Sequence, residues 1–277
     1  MKDEKFPARL HVLVARDSKR AVVIRRGPSK STCILAWDRK KNTFEVSQWL
    51  KGRIYERRSD ISPSGKHWIY FAMNGKWDSE AKGSWTAISR TPWLKSVSLY
   101  AKGDCWHGGG LFLDEKEFWL NDGRGHEQLM DSSEIKRNES YKPSKQYGGE
   151  CLHVYYNRLQ RDGWVLKSMN EKGKWHSETV FEKSLPKKWV LVKICHQQVF
   201  QPKGKGCYWD EHELRNEDNE TFSRSNWEWA DLVDDSIVYA DTGCLYKITI
   251  MSSMKLSEPI LLHDFNEYKF ENIQAPY

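Results

Sequence analysis

The chain has no apolar run long enough to cross a membrane and no sustained apolar spacing of the helical kind. Membrane-spanning helices and helical bundles are therefore not expected. Several chemical signatures are also missing. There is no Cys-x-x-Cys or His-x-x-x-His spacing, no Gly-x-Ser-x-Gly elbow, no phosphate-binding P-loop and no dinucleotide fingerprint. No cofactor is expected on these grounds. Met1-Lys2-Asp3-Glu4-Lys5 leads into no apolar signal region, and no low-complexity segment follows, so a cytoplasmic location is expected.

Cysteine is scarce. Cys33, Cys105, Cys151, Cys195, Cys207 and Cys244 are too scattered for a disulfide scaffold and read as reduced thiols, mostly buried. Charge of one sign is scarce too: 44 basic against 38 acidic residues leave a net +6. Basic groups such as Arg53, Arg57, Arg58 and Arg39-Lys40-Lys41 alternate with acidic ones. A mixed solvated surface is expected, with weak nucleic-acid binding as an alternative.

What the chain does have is aromatic side chains, 14 Trp, 12 Tyr and 10 Phe, and a repeating turn. Asp60-Ile61-Ser62-Pro63-Ser64-Gly65-Lys66 separates Ile54-Tyr55 from His67-Trp68-Ile69-Tyr70-Phe71. Pro63 presets φ for a turn, Gly65 accepts φ > 0, and the flanks are β-formers. Four more hairpins follow the same logic, centred near Asp17, Glu115, Pro186 and Asp235. The five centres lie 47, 51, 71 and 49 residues apart, close to the period of a propeller blade. The long interval holds a polar insertion, Gly123 to Gly149.

A second strand pair is expected after each hairpin: Thr32–Trp37 with Phe44–Val46, Trp85–Ser89 with Val97–Tyr100, Leu152–Asn157 with Trp164–Leu166, Cys207–Trp209 with a strand near Phe222, and Leu245–Ile250 with Ile260–Leu262. The expected fold is all-β, one domain over residues 1–277 forming a five-bladed propeller of four-stranded antiparallel blades. A six-bladed ring and a two-sheet sandwich are the alternatives.

The Asp60–Lys66 turn resembles the repeat turn of the TolB-type, WD40-like propellers. The stretches from Asp60 through Trp85-Thr86-Ala87-Ile88-Ser89-Arg90 to Gly108-Gly109-Gly110-Leu111-Phe112-Leu113-Asp114, and from Leu262-His263-Asp264-Phe265-Asn266 to Ala275-Pro276-Tyr277, are similar to a group of uncharacterised bacterial proteins. The resemblance implies a propeller and a bacterial origin. It implies no reaction and no catalytic residue.

Binding sites gather where long loops meet a rigid scaffold. In four-stranded meanders the connection after strand two and the passage to the next unit share one face, and here those connections are the long ones. They carry Trp77, Asp104, Trp106, His107, Tyr147 and Trp175, the expected binding residues for a protein partner or small ligand. Within Lys102–Gly110, Asp104 and His107 suggest an acid/base pair, and three glycines allow close approach of a ligand or of backbone. Tyr147-Gly148-Gly149-Glu150 echoes that feature.

An enzymatic alternative is a glycosidase. Glu56, Glu178 and Glu228 lie near the starts of three expected inner strands, and glycoside hydrolysis needs paired carboxylates. Cys105-x-His107, Cys151-x-His153 and Cys195-His196 resemble metal-ligand pairs, but their spacing supports no metal centre. The expected role is that of a soluble, non-enzymatic binding module.

Overall fold

A computed structural model describes residues 6–27, 30–123, 125–147, 150–200 and 205–277. Antiparallel sheet dominates it, as the hairpin pattern requires. No helix among the described residues is long and apolar enough to cross a membrane.

The chain divides into two compact units, one of residues 1–158 with 268–277 and one of residues 159–267. The first unit opens with a four-stranded meander of β1 (Arg9–Val14), β2 (Arg20–Arg26), β3 (Thr32–Asp38) and β4 (Thr43–Leu50). The second meander is β5 (Arg53–Ile61), β6 (His67–Met73), β7 (Ser84–Arg90) and β8 (Ser96–Ala101). A short hairpin follows, β9 (Gly110–Phe112) with β10 (Glu117–Leu120). The polar insertion supplies β11 (Glu127–Met130), which returns to pair with β8, and β12 (Lys136–Arg137), which runs parallel to β10.

The second meander is buried on both faces, and the strict two-residue period of a strand explains how. Trp68, Tyr70 and Ala72 of β6 pack with Leu13, Val22, Ile24 and Ile34 of the first meander. Ile69, between them, packs the other way with Phe112, Phe118 and Leu120. β7 repeats the split, with Ala87 in the first cluster and Ile88 in the second.

The hairpin turns also hold one another. Asp17 donates its N–H to the Pro63 carbonyl at 2.9 Å, and Ser18 Oγ donates to the Ser64 carbonyl at 2.8 Å. The turn at residues 60–66 is narrower than its sequence suggests, because β5 continues through Asp60 and Ile61. Residues 268–277 lie along the first unit. The Phe270 ring is 6.1 Å from Trp49, Gln48 donates to the Ile273 carbonyl at 3.0 Å, and the Tyr277 hydroxyl accepts the Arg90 N–H at 3.2 Å.

One expected strand is a helix. Leu152–Asn157 lies inside α1 (Glu150–Arg161), twelve residues long. Val154, Tyr155 and Tyr156 favour strands in isolation, but tertiary burial overrides that preference. Arg158 on this helix donates to the Glu56 carbonyl at 3.3 Å and bonds His11 Nε2 at 2.8 Å. It also donates to the Ser59 carbonyl. Those carbonyls are exposed to it by an irregularity in β5, where register is lost between Tyr55 and Asp60.

The second unit holds a five-stranded meander and a four-stranded one. The former comprises β13 (Val165–Gly173), β14 (His176–Ser184), β15 (Val190–Gln198), β16 (Tyr208–Arg215) and β17 (Thr221–Arg224). The latter comprises β18 (Trp229–Val233), β19 (Ser236–Asp241), β20 (Cys244–Thr249) and β21 (Ile260–Asp264). Asp234 and Asp235 both take positive φ, as a two-residue hairpin turn requires. Between the sheets Lys193, 1% exposed, bonds His212 at 2.8 Å, lies 3.9 Å from Asp210 and sits 4.8 Å over the Trp164 ring.

Among the described residues the sheets thus hold four, five, three, five and four strands, rather than the expected five sets of four. The third expected set fails because residues 152–157 are helical and Val165 belongs to the next sheet.

Candidate functional site

The connections β2–β3, β4–β5 and β6–β7 of the first unit end at one side of their meanders, as their alternation demands. They enclose a cleft of about 790 Å³. This is within the range of small-molecule sites. Arg9, Arg26, Lys30, Lys51 and Arg53 line it, while Phe6, Pro7, Met73 and Trp77 supply apolar wall. No carboxylate, histidine or cysteine is among the described lining residues.

Several of these groups are held in place from behind. Arg26 meets the buried Glu56 at 3.1 Å. Arg53 lies 4.4 Å over the Tyr55 ring, and Lys51 4.6 Å over Phe270. Trp77 is 53% exposed, yet its ring backs onto Gly83, where an added Cβ would stand 2.5 Å from the indole. Gly83 is therefore a close-approach position as well as a positive-φ one.

A second hollow, about 490 Å³, contains His107. The polar insertion forms much of its wall through Arg137, Asn138, Glu139 and Tyr141, and His153 of α1 completes it. Burial pushes the His153 imidazole below its ordinary range, and His107 adds to the effect. Asp122 organises the rim by accepting from His126 Nδ1 at 2.9 Å and from Arg137 at 2.8 Å.

The expected Asp104–His107 pair is not what the loop builds. Asp104 accepts the Trp106 N–H at 2.8 Å and meets Lys102 at 3.2 Å. The loop is clamped from below by Arg58, which donates to the Cys105 carbonyl at 2.8 Å and to the His107 carbonyl. Its glycines serve packing. A Cβ on Gly108 would stand 2.2 Å from the Phe71 ring, on Gly109 1.8 Å from the Arg58 carbonyl oxygen, and on Gly110 2.0 Å from the Trp119 oxygen.

The remaining expected residues scatter. Trp106 is 60% exposed but lines neither hollow. Tyr147 is core, 3% exposed and edge-on to Tyr156 at 5.2 Å. Gly148 and Gly149 lie outside the described residues. Trp175 is exposed in the second unit, at the β13–β14 turn, with Lys174 5.4 Å over its ring. The structure thus brings His107 to the insertion and Trp77 to the basic cleft, and these two residues line different hollows.

The carboxylates proposed for hydrolysis are differently placed. Burial alone would raise the Glu56 carboxyl, but Arg26, Arg57 and Arg53 outweigh it and hold the group down at about 2. It is a fixed anion, unsuited to acid catalysis near neutrality. Glu178, on β14, meets Lys172 at 3.2 Å, and Glu228 precedes β18, its N–H bound to the Ala240 carbonyl at 3.0 Å. Arg57 and Arg58, weighed as surface cations, are both buried. They hold the protein's own groups rather than a phosphate chain.

No family model, curated protein or solved structure matches this chain. Of the cleft the sequence marks Trp77 and Arg53 separately but not their meeting, because its cations are spread from Arg9 to Arg53 over several loops.

Proposed function

We infer that the first unit is a binding module for a small anionic ligand carrying a flat ring, of the nucleotide class, seated in the Trp77 cleft. The observation that carries this reading is the lining itself: among the described residues, five cationic side chains and no carboxylate, beside a half-exposed indole. Cations of one sign on a concave wall concentrate an anion, and the indole offers a stacking face. The absence of carboxylate, histidine and cysteine from the described lining favours binding without chemistry. The scaffold in this proposal is the five-bladed propeller that the Asp60–Lys66 turn resembles; its support is the succession of five sheets in chain order, four of them built on antiparallel meanders and the third on one hairpin.

Titration calorimetry with ATP, GMP, adenosine and pyrophosphate tests it. The nucleotides should bind, adenosine and pyrophosphate should each bind more weakly, and added salt should weaken ATP, GMP and pyrophosphate while leaving adenosine nearly unchanged. Trp77→Ala should cost on the order of 2 kcal/mol, about 30-fold in affinity, with little change in melting temperature. Equal binding of adenosine and ATP, or binding untouched by both Trp77→Ala and Arg53→Ala, would overturn the reading. Binding only to a protein partner would replace it with an interaction surface.

A further inference from the structure

The second unit carries a different cluster. His176 and Glu178 are two apart on β14, so they project from the same face. His196 on β15 pairs directly across from Glu178, which puts it on that face as well. His176 Nε2 and His196 Nδ1 stand 3.1 Å apart. One oxygen of Glu178 completes a set of three ligand atoms lying within 4.8 Å of one another.

These separations suit a single small cation. Zinc binds imidazole nitrogen at roughly 2.0–2.1 Å, which puts neighbouring nitrogens of a tetrahedral site about 3.3 Å apart. Two imidazoles and one carboxylate are a recognised donor set for zinc and related transition ions, and they leave one position for water or a ligand. Calcium and magnesium prefer shells of oxygen and are disfavoured here.

The surroundings resemble the support such a site needs. The second nitrogen of His196, Nε2, makes no hydrogen bond but lies 3.5 Å from a Glu211 oxygen, near enough for a small shift to give the carboxylate contact that orients a ligating imidazole. The His196 ring is stacked on Trp209, with centroids 4.7 Å apart and planes 12° from parallel. His196 is 8% exposed, so neither contact is easily lost. Lys172 meets Glu178 at 3.2 Å, but its side chain is half exposed and can swing into solvent.

We propose that His176, Glu178 and His196 bind a divalent transition-metal ion, zinc by the donor set. Spacing along the chain marks only His196, beside Cys195, because the triad is assembled across two strands rather than along one. The inference is independent of the cleft in the first unit, and either can fail alone.

The experiment is calorimetric titration of chelator-treated full-length protein with zinc chloride, with magnesium and calcium chlorides as controls and cobalt(II) as a spectroscopic probe. One equivalent of zinc should bind, the alkaline-earth ions should not, and cobalt should show the intense visible bands of a four-coordinate site without a thiolate charge-transfer band. His176→Ala and His196→Ala should each weaken binding at least 100-fold. Glu211→Gln, which touches no metal in the proposal, should weaken it about 10-fold. Should the histidine variants fail to fold, Glu178→Gln keeps the side chain's volume and must still weaken zinc at least 10-fold. Unchanged stoichiometry and affinity in these variants, or a thiolate band, would place the ion elsewhere and overturn the proposal. Absence of binding tighter than millimolar would leave a histidine–histidine hydrogen bond only, and would also overturn it.

Discussion

Glu115 holds Ser64 by two bonds: its carboxylate accepts the Ser64 N–H at 2.9 Å and the Ser64 hydroxyl at 2.5 Å. The two residues sit in successive hairpin turns, and Ser64 is in turn tied to the first hairpin through Ser18. Three turns that the sequence marks separately are thus one hydrogen-bonded series.

Glu115→Ala should remove the link between the second and third hairpins. Bonds to a charged acceptor are worth about 1.5 kcal/mol or more each, less where solvent competes, so a total loss of about 2 kcal/mol is expected. Lys116→Ala, one position on and exposed, should stay within about 0.5 kcal/mol. Urea denaturation of the two variants checks this, and equal midpoints would show that the link carries no stability.

Gly109 and Gly125 separate two effects. Both have positive φ, +73° and +80°, so both alanine variants meet similar backbone strain. Only Gly109 is pressed against backbone, its Cβ position 1.8 Å from the Arg58 oxygen, whereas Gly125 has nothing nearer than 3.9 Å. Gly125→Ala should cost about 1 kcal/mol. Gly109→Ala should cost more than about 3 kcal/mol, read as a loss of folded protein by thermal melting. Similar costs would mean that the loop can move away.

Acid should act through Glu56. Its carboxyl is depressed from 4.5 to about 2, so its contribution is complete above the ordinary value. That contribution is lost as pH falls from 4.5 through about 2. Glu56→Gln leaves Arg26 and Arg57 facing a neutral group and should cost on the order of 3 kcal/mol at pH 7. The gap in melting temperature between the parent and Glu56→Gln should narrow steadily across that acid window. A gap independent of pH would assign the stability to packing instead.

Thiol chemistry should divide the cysteines by position. Cys105 and Cys207 are exposed, Cys244 is intermediate, and Cys33, Cys151 and Cys195 are buried. Burial pushes the Cys33 thiol up to about 12, which removes the reactive thiolate at neutral pH. A chromogenic disulfide reagent should therefore titrate two groups quickly, a third slowly, and all six only in denaturant. Rapid reaction of four or more would show that the core opens.

The strands were legible where alternation and turn residues agreed. The β1–β2, β5–β6 and β18–β19 hairpins all fall where Asp17, Ser62–Lys66 and Asp234-Asp235 place them. The helix was not: Cys151, Leu152, Tyr155, Tyr156 and Leu159 follow helical spacing, but over only twelve residues and with the strand formers Val154, Tyr155 and Tyr156 at the centre. A short apolar run of this kind reads equally as a strand. The site divides similarly. The rule that long connections share one face names Trp77, which lines the cleft, but it equally names Trp106 and Trp175, which line neither hollow. It gave no account of Arg57 and Arg58, whose charge is spent inside the fold, or of His176 and His196, which meet only through the register of β14 with β15.

The passage of the chain out of the first unit and back imposes an order on synthesis. Phe270, Ile273 and Tyr277 close against Trp49, Gln48 and Arg90, yet the ribosome makes them only after residues 159–267. The nascent first unit must therefore wait, its edge near Trp49 uncovered, while the whole of the second is translated. The second unit is one uninterrupted stretch and faces no such delay. During that interval a chaperone, or another nascent chain, would find the Trp49 edge before residues 268–277 do.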